Sequence, residues 1–112
     1  MHRPGSNPDH MEPEDFLCDF CHAPWAPERP FVEGHQGSCI CGHCLHAALL
    51  ALDAGARPQA APETACVLCL EAGRGAAFAG AASPTAHACE RCLRQAAGVL
   101  GRDRASGWRP PA

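Results

Sequence analysis

Four Cys-x-x-Cys pairs limit what this chain can fold into. Cys18-Asp19-Phe20-Cys21 is followed, after 19 intervening residues, by Cys41-Gly42-His43-Cys44, and Cys66-Val67-Leu68-Cys69 is followed, again after 19, by Cys89-Glu90-Arg91-Cys92. The second block is the first displaced by 48 positions, so the chain holds an internal repeat of two units. Clustered thiols admit a metal site, a redox-active pair or a disulfide staple. The matched spacing favours metal. Zinc in structural sites takes four ligands in a tetrahedron, commonly four thiolates. One pair presents two sulfurs to one side of the ion, and a second pair at a helix N-terminus, where the dipole favours thiolate, closes the other side. The expected ligand sets are Cys18, Cys21, Cys41 and Cys44, then Cys66, Cys69, Cys89 and Cys92, with two Zn2+ per chain. Redox chemistry needs one exposed pair and leaves two matched sets unexplained. A disulfide framework leaves one of the nine cysteines over.

Composition explains why such staples are needed. With 112 residues there is room for one small domain or two very small ones. Aromatic residues make up 5%, Tyr is absent, and Ala supplies much of the 46% hydrophobic content, so the core is thin. The start of the sequence lacks the apolar run of a signal peptide, and no stretch approaches the ~20 apolar residues that span a bilayer. The expected setting is a reducing cytoplasm without membrane contact, where clustered cysteines read as ligands. Four thiolates around a dication carry two net negative charges, so two filled sites take the chain from −3 to −7. That balance, with no basic stripe, argues against nucleic acid as the main partner. A closed four-thiolate sphere offers no open position to water or substrate, and no activated-nucleophile arrangement stands out, so no enzyme is expected.

The fold expected is small α+β: two tandem treble-clef-like zinc modules, each a knuckle, a short β-hairpin and a helix. The Gly/Pro-punctuated stretches between paired cysteines suit short strands and turns. In the first unit Leu45, Leu49, Leu50 and Leu52 give a broad apolar helix face that Gly55 ends. In the second, Leu93, Ala97 and Leu100 give a shorter helix weakened by Gly98. The boundaries read as a disordered tail over 1–15, module one over 16–54, a Pro/Ala-rich linker over 55–64, module two over 65–101 and a disordered tail over 102–112.

Several residues stay ambiguous at this level. Cys39 aligns with His87 two residues before each helix-opening pair. Either both are alternative ligands, or Cys39 is a partly buried strand residue and His87 a surface one. His22 and His43 sit beside or within knuckles, where either could displace a cysteine as ligand; with the full cysteine set present they read as neighbours of the metal or as exposed residues. Trp25 either packs over the first knuckle or stands exposed as a binding anchor. The stretch "GRDRASGWRPPA" brings three Arg together with Trp108, either as a disordered tail or as an electrostatic and stacking grip on nucleic acid.

Residues 17–45, "LCDFCHAPWAPERPFVEGHQGSCICGHCL", resemble the N-terminal zinc-binding domain of the ClpX unfoldase. The shared features are Phe20 before the second knuckle cysteine, Phe31-Val32 ahead of Gly34, Ile40 before the second pair, and Leu45 at the helix start. The second unit keeps the cysteines and Phe78-Ala79-Gly80. The ATPase of that family is absent, with no GxxxxGK[ST] loop. The resemblance implies dimerisation through apolar surface and recognition of unfolded segments or adaptor tails, with Phe31, Val32, Ile40, Leu45 and Leu49 as the contact surface. Two copies in one chain imply an internal pseudo-dimer, since the linker averages on the order of 18 Å, enough for neighbouring modules to dock. Redox or zinc sensing, by oxidation that ejects the metal, is the further alternative.

Overall fold

The computed structural model describes residues 1–111, and it is α+β. In the first unit β1 (Phe31–Glu33) pairs antiparallel with β2 (Cys39–Cys41), matching Phe31 to Cys41, Val32 to Ile40 and Glu33 to Cys39; α1 (Gly42–Asp53) follows at once. In the second, β3 (Phe78–Ala79) pairs with β4 (His87–Ala88), and α2 spans Glu90–Arg102. The hairpins form two separate two-stranded sheets.

Local chemistry sets these boundaries. Each helix can start straight from a strand because a cysteine stands at its N-cap in extended conformation. At α1 the Cys41 sulfur accepts the backbone N–H of Cys44 at 3.4 Å. At the other end, Gly55 takes the left-handed region (φ 73°), its N–H reaching the carbonyl of Leu52 at 3.0 Å while Ala56 reaches Ala51 at 2.9 Å. This paired closure is the Schellman stop, and glycine adopts its backbone angle without a Cβ penalty. The second helix is the longer of the two, at 13 residues against 12, despite Gly98. Its buried face of Leu93, Ala96 and Leu100 supplies packing that outweighs the glycine's poor propensity.

Among the described residues neither unit has a separate buried cluster. One cluster of buried side chains joins Phe20, Ile40, Leu45, Leu49 and Leu52 of the first unit to Leu68, Leu93, Ala96 and Leu100 of the second. A hairpin and helix of this size bury too little to stand alone, and pooling two raises the buried fraction. The contacts run reciprocally. His35 donates its backbone N–H to the carbonyl of Leu68 at 2.8 Å, and Ala82 donates to that of Phe20 at 3.0 Å. Leu68 stands 48 positions after Phe20, so each hairpin turn grips the other unit's knuckle at the same place. Gly34 and Gly80 make that approach possible: a Cβ on Gly34 would lie 2.6 Å from the Leu68 carbonyl oxygen, and one on Gly80 would lie 2.6 Å from that of Phe20. The Phe20 and Phe78 rings also meet across the join, 5.7 Å apart. These matched contacts, made in both directions, are the mark of an approximate two-fold arrangement.

The end segments, read from sequence as tails, make defined contacts. Leu17 donates its N–H to the Met1 carbonyl at 2.7 Å, Arg3 donates to Asp15 at 2.7 Å, and the His2 ring meets Phe16 edge-on at 5.3 Å. Pro13–Asp15 forms one 3-10 turn and Arg104–Ser106 another. Phe16 and Trp108 give these polar stretches an anchor that their composition did not suggest. Among the described residues no helix is long and apolar enough to cross a membrane.

Candidate metal centres

Each centre is assembled from a knuckle and a helix start. In the first knuckle Cys18 donates its N–H to Ala23 at 2.9 Å and His22 donates to the Cys18 carbonyl at 2.8 Å; in the second, Cys66 donates to Glu71 at 3.0 Å and Leu70 to Cys66 at 2.7 Å. His22 and Leu70 both adopt positive φ, 62° and 64°, so the turn rather than any side-chain chemistry uses the position after each second cysteine. The knuckle is tied to the strand in the same way twice: Asp19 donates to the Cys39 carbonyl at 3.1 Å and Val67 to that of His87 at 2.8 Å. The N–H of Cys41 then reaches the Cys18 sulfur at 3.3 Å, and that of Cys89 the Cys66 sulfur at 3.4 Å.

The outcome is two groups of four sulfurs, Cys18, Cys21, Cys41 and Cys44, and Cys66, Cys69, Cys89 and Cys92, each with all ligand atoms within 4.8 Å of one another. Each group can hold a metal ion. The Cys18 and Cys44 sulfurs are 3.8 Å apart and those of Cys21 and Cys41 3.7 Å apart. Four thiolates at ~2.3 Å from a tetrahedral zinc sit roughly 3.8 Å from each other, so the spacing fits the donor set. The electrostatics are those of four thiols in mutual contact. Hydrogen bonds from the Cys41 and Cys44 thiols drive the Cys18 thiol far below its ordinary value. The Cys18 sulfur in turn raises Cys41 to about 11 and, together with Cys41, pushes Cys44 far up. Crowded thiols cannot all ionise beside one another, and a dication at the centre removes that conflict. In the second group desolvation raises Cys89 and Cys92, while at Cys66 it is outweighed by N–H bonds from Cys89, Cys69 and Leu68, which lower its value.

Cys39 belongs to neither group. It is 1% exposed, its sulfur lies 3.5 Å from the Leu17 carbonyl and 3.5 Å from the Met1 ammonium, and burial pushes its thiol up. His87 is half-buried on β4, outside the second group. His43 is exposed and receives the Arg29 guanidinium at 3.2 Å.

The five residues expected to meet a partner divide. Ile40, Leu45 and Leu49 are buried in the cluster shared with the second unit, so they present no surface to an outside partner. Phe31 and Val32 remain half-exposed. Trp25 is half-exposed too and, with Met11, Pro13, Phe16, Phe31, Glu33 and Cys39, lines a hollow of about 380 Å3. Two contacts escaped the sequence reading. The glycine pair Gly34 and Gly80 carried a signal, since both units keep a glycine after their first strand. The docking of Trp108 carried none.

The chain matches no protein-family model, no curated protein and no solved structure.

Proposed function

We propose that this chain is a zinc-stabilised protein-interaction module of the kind found at the N-terminus of the ClpX unfoldase. In this reading the two copies pair within one chain and the pair holds unfolded segments or adaptor tails in the cytoplasm. The observation that carries it is two closed four-sulfur groups flanking one shared core. Zinc in each would supply folding free energy of ~10–16 kcal/mol near neutral pH and leave no coordination position for chemistry. What such a chain then has to offer is surface. Phe16, Trp25 and Phe31 are apolar side chains of the first unit that stay half-exposed along the hollow, and Val32 is half-exposed at the neighbouring position of β1. Residues 1–33 carry seven acidic side chains against two Arg, so an apolar segment flanked by cations suits that face.

The test compares two labelled probes on the zinc-loaded chain: a reduced, alkylated and therefore unfolded protein, and oligonucleotides in single- and double-stranded form. Support is saturable binding of the unfolded protein that weakens when Phe31→Ala and Val32→Ser are combined. Binding of the oligonucleotides alone, falling steeply with added salt, would replace this reading with a nucleic-acid one.

A further inference from the structure

Residue Gly42 lies between two ligands of the first centre, Cys41 and Cys44, in the opening turn of α1. A side chain from 66 positions further along the chain is seated on it. The indole Nε1 of Trp108 donates to the Gly42 carbonyl at 2.8 Å. The ring lies so close that a Cβ on Gly42 would be 2.6 Å from its Cδ1. The segment that delivers Trp108 is internally braced. Asp103 accepts the N–H of Ala105 at 3.2 Å; Ser106 donates its hydroxyl to the Asp103 carbonyl at 2.8 Å and accepts the N–H of Trp108 at 3.1 Å; Gly107 turns the chain at φ 70°. The segment grows directly from the end of α2, the helix that carries Cys92.

Among the described residues the second centre has no counterpart. The residue equivalent to Gly42 is Glu90, which is exposed and faces the guanidinium groups of Arg57 at 2.9 Å and Arg94 at 3.4 Å. The two centres share one ligand pattern, but the strap touches only one of them.

We infer that residues 103–108 form an intramolecular latch in which Trp108 pins the ligand-bearing turn of the first centre, so that metal retention there is set by the segment that follows the second module. A helix opening must move for Cys41 and Cys44 to release an ion. The latch opposes that movement by one hydrogen bond and by ring contact with the Gly42 backbone. Trp108 is a positioning residue, acting on the metal through the turn it holds. The inference rests on the metal-centre part of the proposed function and is independent of which partner the surface takes.

The experiment uses the full chain loaded with zinc, challenged with excess chelator. Native mass spectrometry counts the ions lost, and alkylation of newly freed thiols assigns each loss to one set of cysteines. A wild-type chain that binds no zinc at all would defeat the metal reading itself, separately from the latch. With zinc bound, Trp108→Ala should release the Cys18 set roughly tenfold faster, the factor corresponding to about one net hydrogen bond, and leave the Cys66 set unchanged. Trp108→Phe, which keeps a ring and loses the donor, should fall between and guards against a misfolded alanine variant. Gly42→Ala should act like Trp108→Ala, because its new methyl displaces the ring, although alanine is the better helix former. In the double variant, Gly42→Ala should add nothing. Equal acceleration at both centres, no acceleration at the first, or additive effects of the two substitutions would each overturn the latch.

Discussion

The close approach of the two units makes Gly34 and Gly80 the sharpest test of the shared core. Replacing Gly34 with Ala places a methyl 2.6 Å from the Leu68 carbonyl oxygen and 2.8 Å from its Cα; the Gly80 replacement meets Phe20 at the same two distances. These neighbours are backbone, so they cannot swing aside. Reaching ordinary contact near 3.4 Å means opening the join by about 0.8 Å. A gap of that order forfeits a quarter to a half of the dispersion attraction of the atoms along it. It also stretches the hydrogen bonds His35 to Leu68 and Ala82 to Phe20, now 2.8 and 3.0 Å. Overpacking of this kind costs about 1–3 kcal/mol at each site. For a domain near this size that is a fall of roughly 5–15 °C in melting temperature. Gly34 has φ −110°, a conformation any residue adopts, so the effect there would be steric alone. Gly98 is the control of opposite sign: in mid-helix, with only the flexible end of Arg102 nearby at 3.2 Å, its replacement by Ala should stabilise by about 0.5–1 kcal/mol. The assay is thermal and urea unfolding followed by far-UV circular dichroism at fixed free zinc, since bound metal shifts the midpoint. If Gly34→Ala and Gly80→Ala unfold with the wild type while Gly98→Ala rises, the units do not meet as described.

Metal removal and ligand substitution give further outcomes. Stripping zinc with a chelator should collapse the far-UV signal, because binding free energy is folding free energy in a chain with so thin a core; an unchanged spectrum would refute this. Cys18→Ser and Cys66→Ser should each lower the stoichiometry from two zincs to one, as read by native mass spectrometry. Cys39→Ser should keep both ions, and in the loaded protein Cys39 should resist alkylation, since it is 1% exposed and belongs to neither group. Phe20→Ala should cost about 3–5 kcal/mol by emptying a fully buried position where the two units meet. Acidification should release the metal, because each ligand has to shed a proton to bind and protons compete for the same sulfurs; zinc release measured against pH checks the direction.

The two four-cysteine groups were legible because their information is local and repeated. Cys18 to Cys21 and Cys41 to Cys44 are short-range spacings, and the 48-residue displacement states them twice, so chance agreement is small. The hairpins and helices followed, since a knuckle and a helix start leave little freedom to the stretch between. The pairing of units was less legible. Ile40, Leu45 and Leu49 are apolar on any reading, and nothing in an apolar side chain says whether it faces a stranger or the other half of its own chain. That choice depends on buried area, and two small units in covalent reach of one another find each other at high effective concentration. The ends were the least legible. The stretch "GRDRASGWRPPA" has the composition of a solvated tail, and its one large apolar residue, Trp108, finds a seat only because Gly42 lacks a side chain. A contact over 66 positions that needs a glycine at one end and a tryptophan at the other leaves no periodic trace. The same glycine argument recurs at Gly34 and Gly80, so three of the closest approaches in this fold are made where a side chain is missing. In a chain short of large apolar residues, bringing backbones together is the remaining way to exclude water. That is why a single added methyl group at these glycines should disturb the fold even though it removes no buried contact.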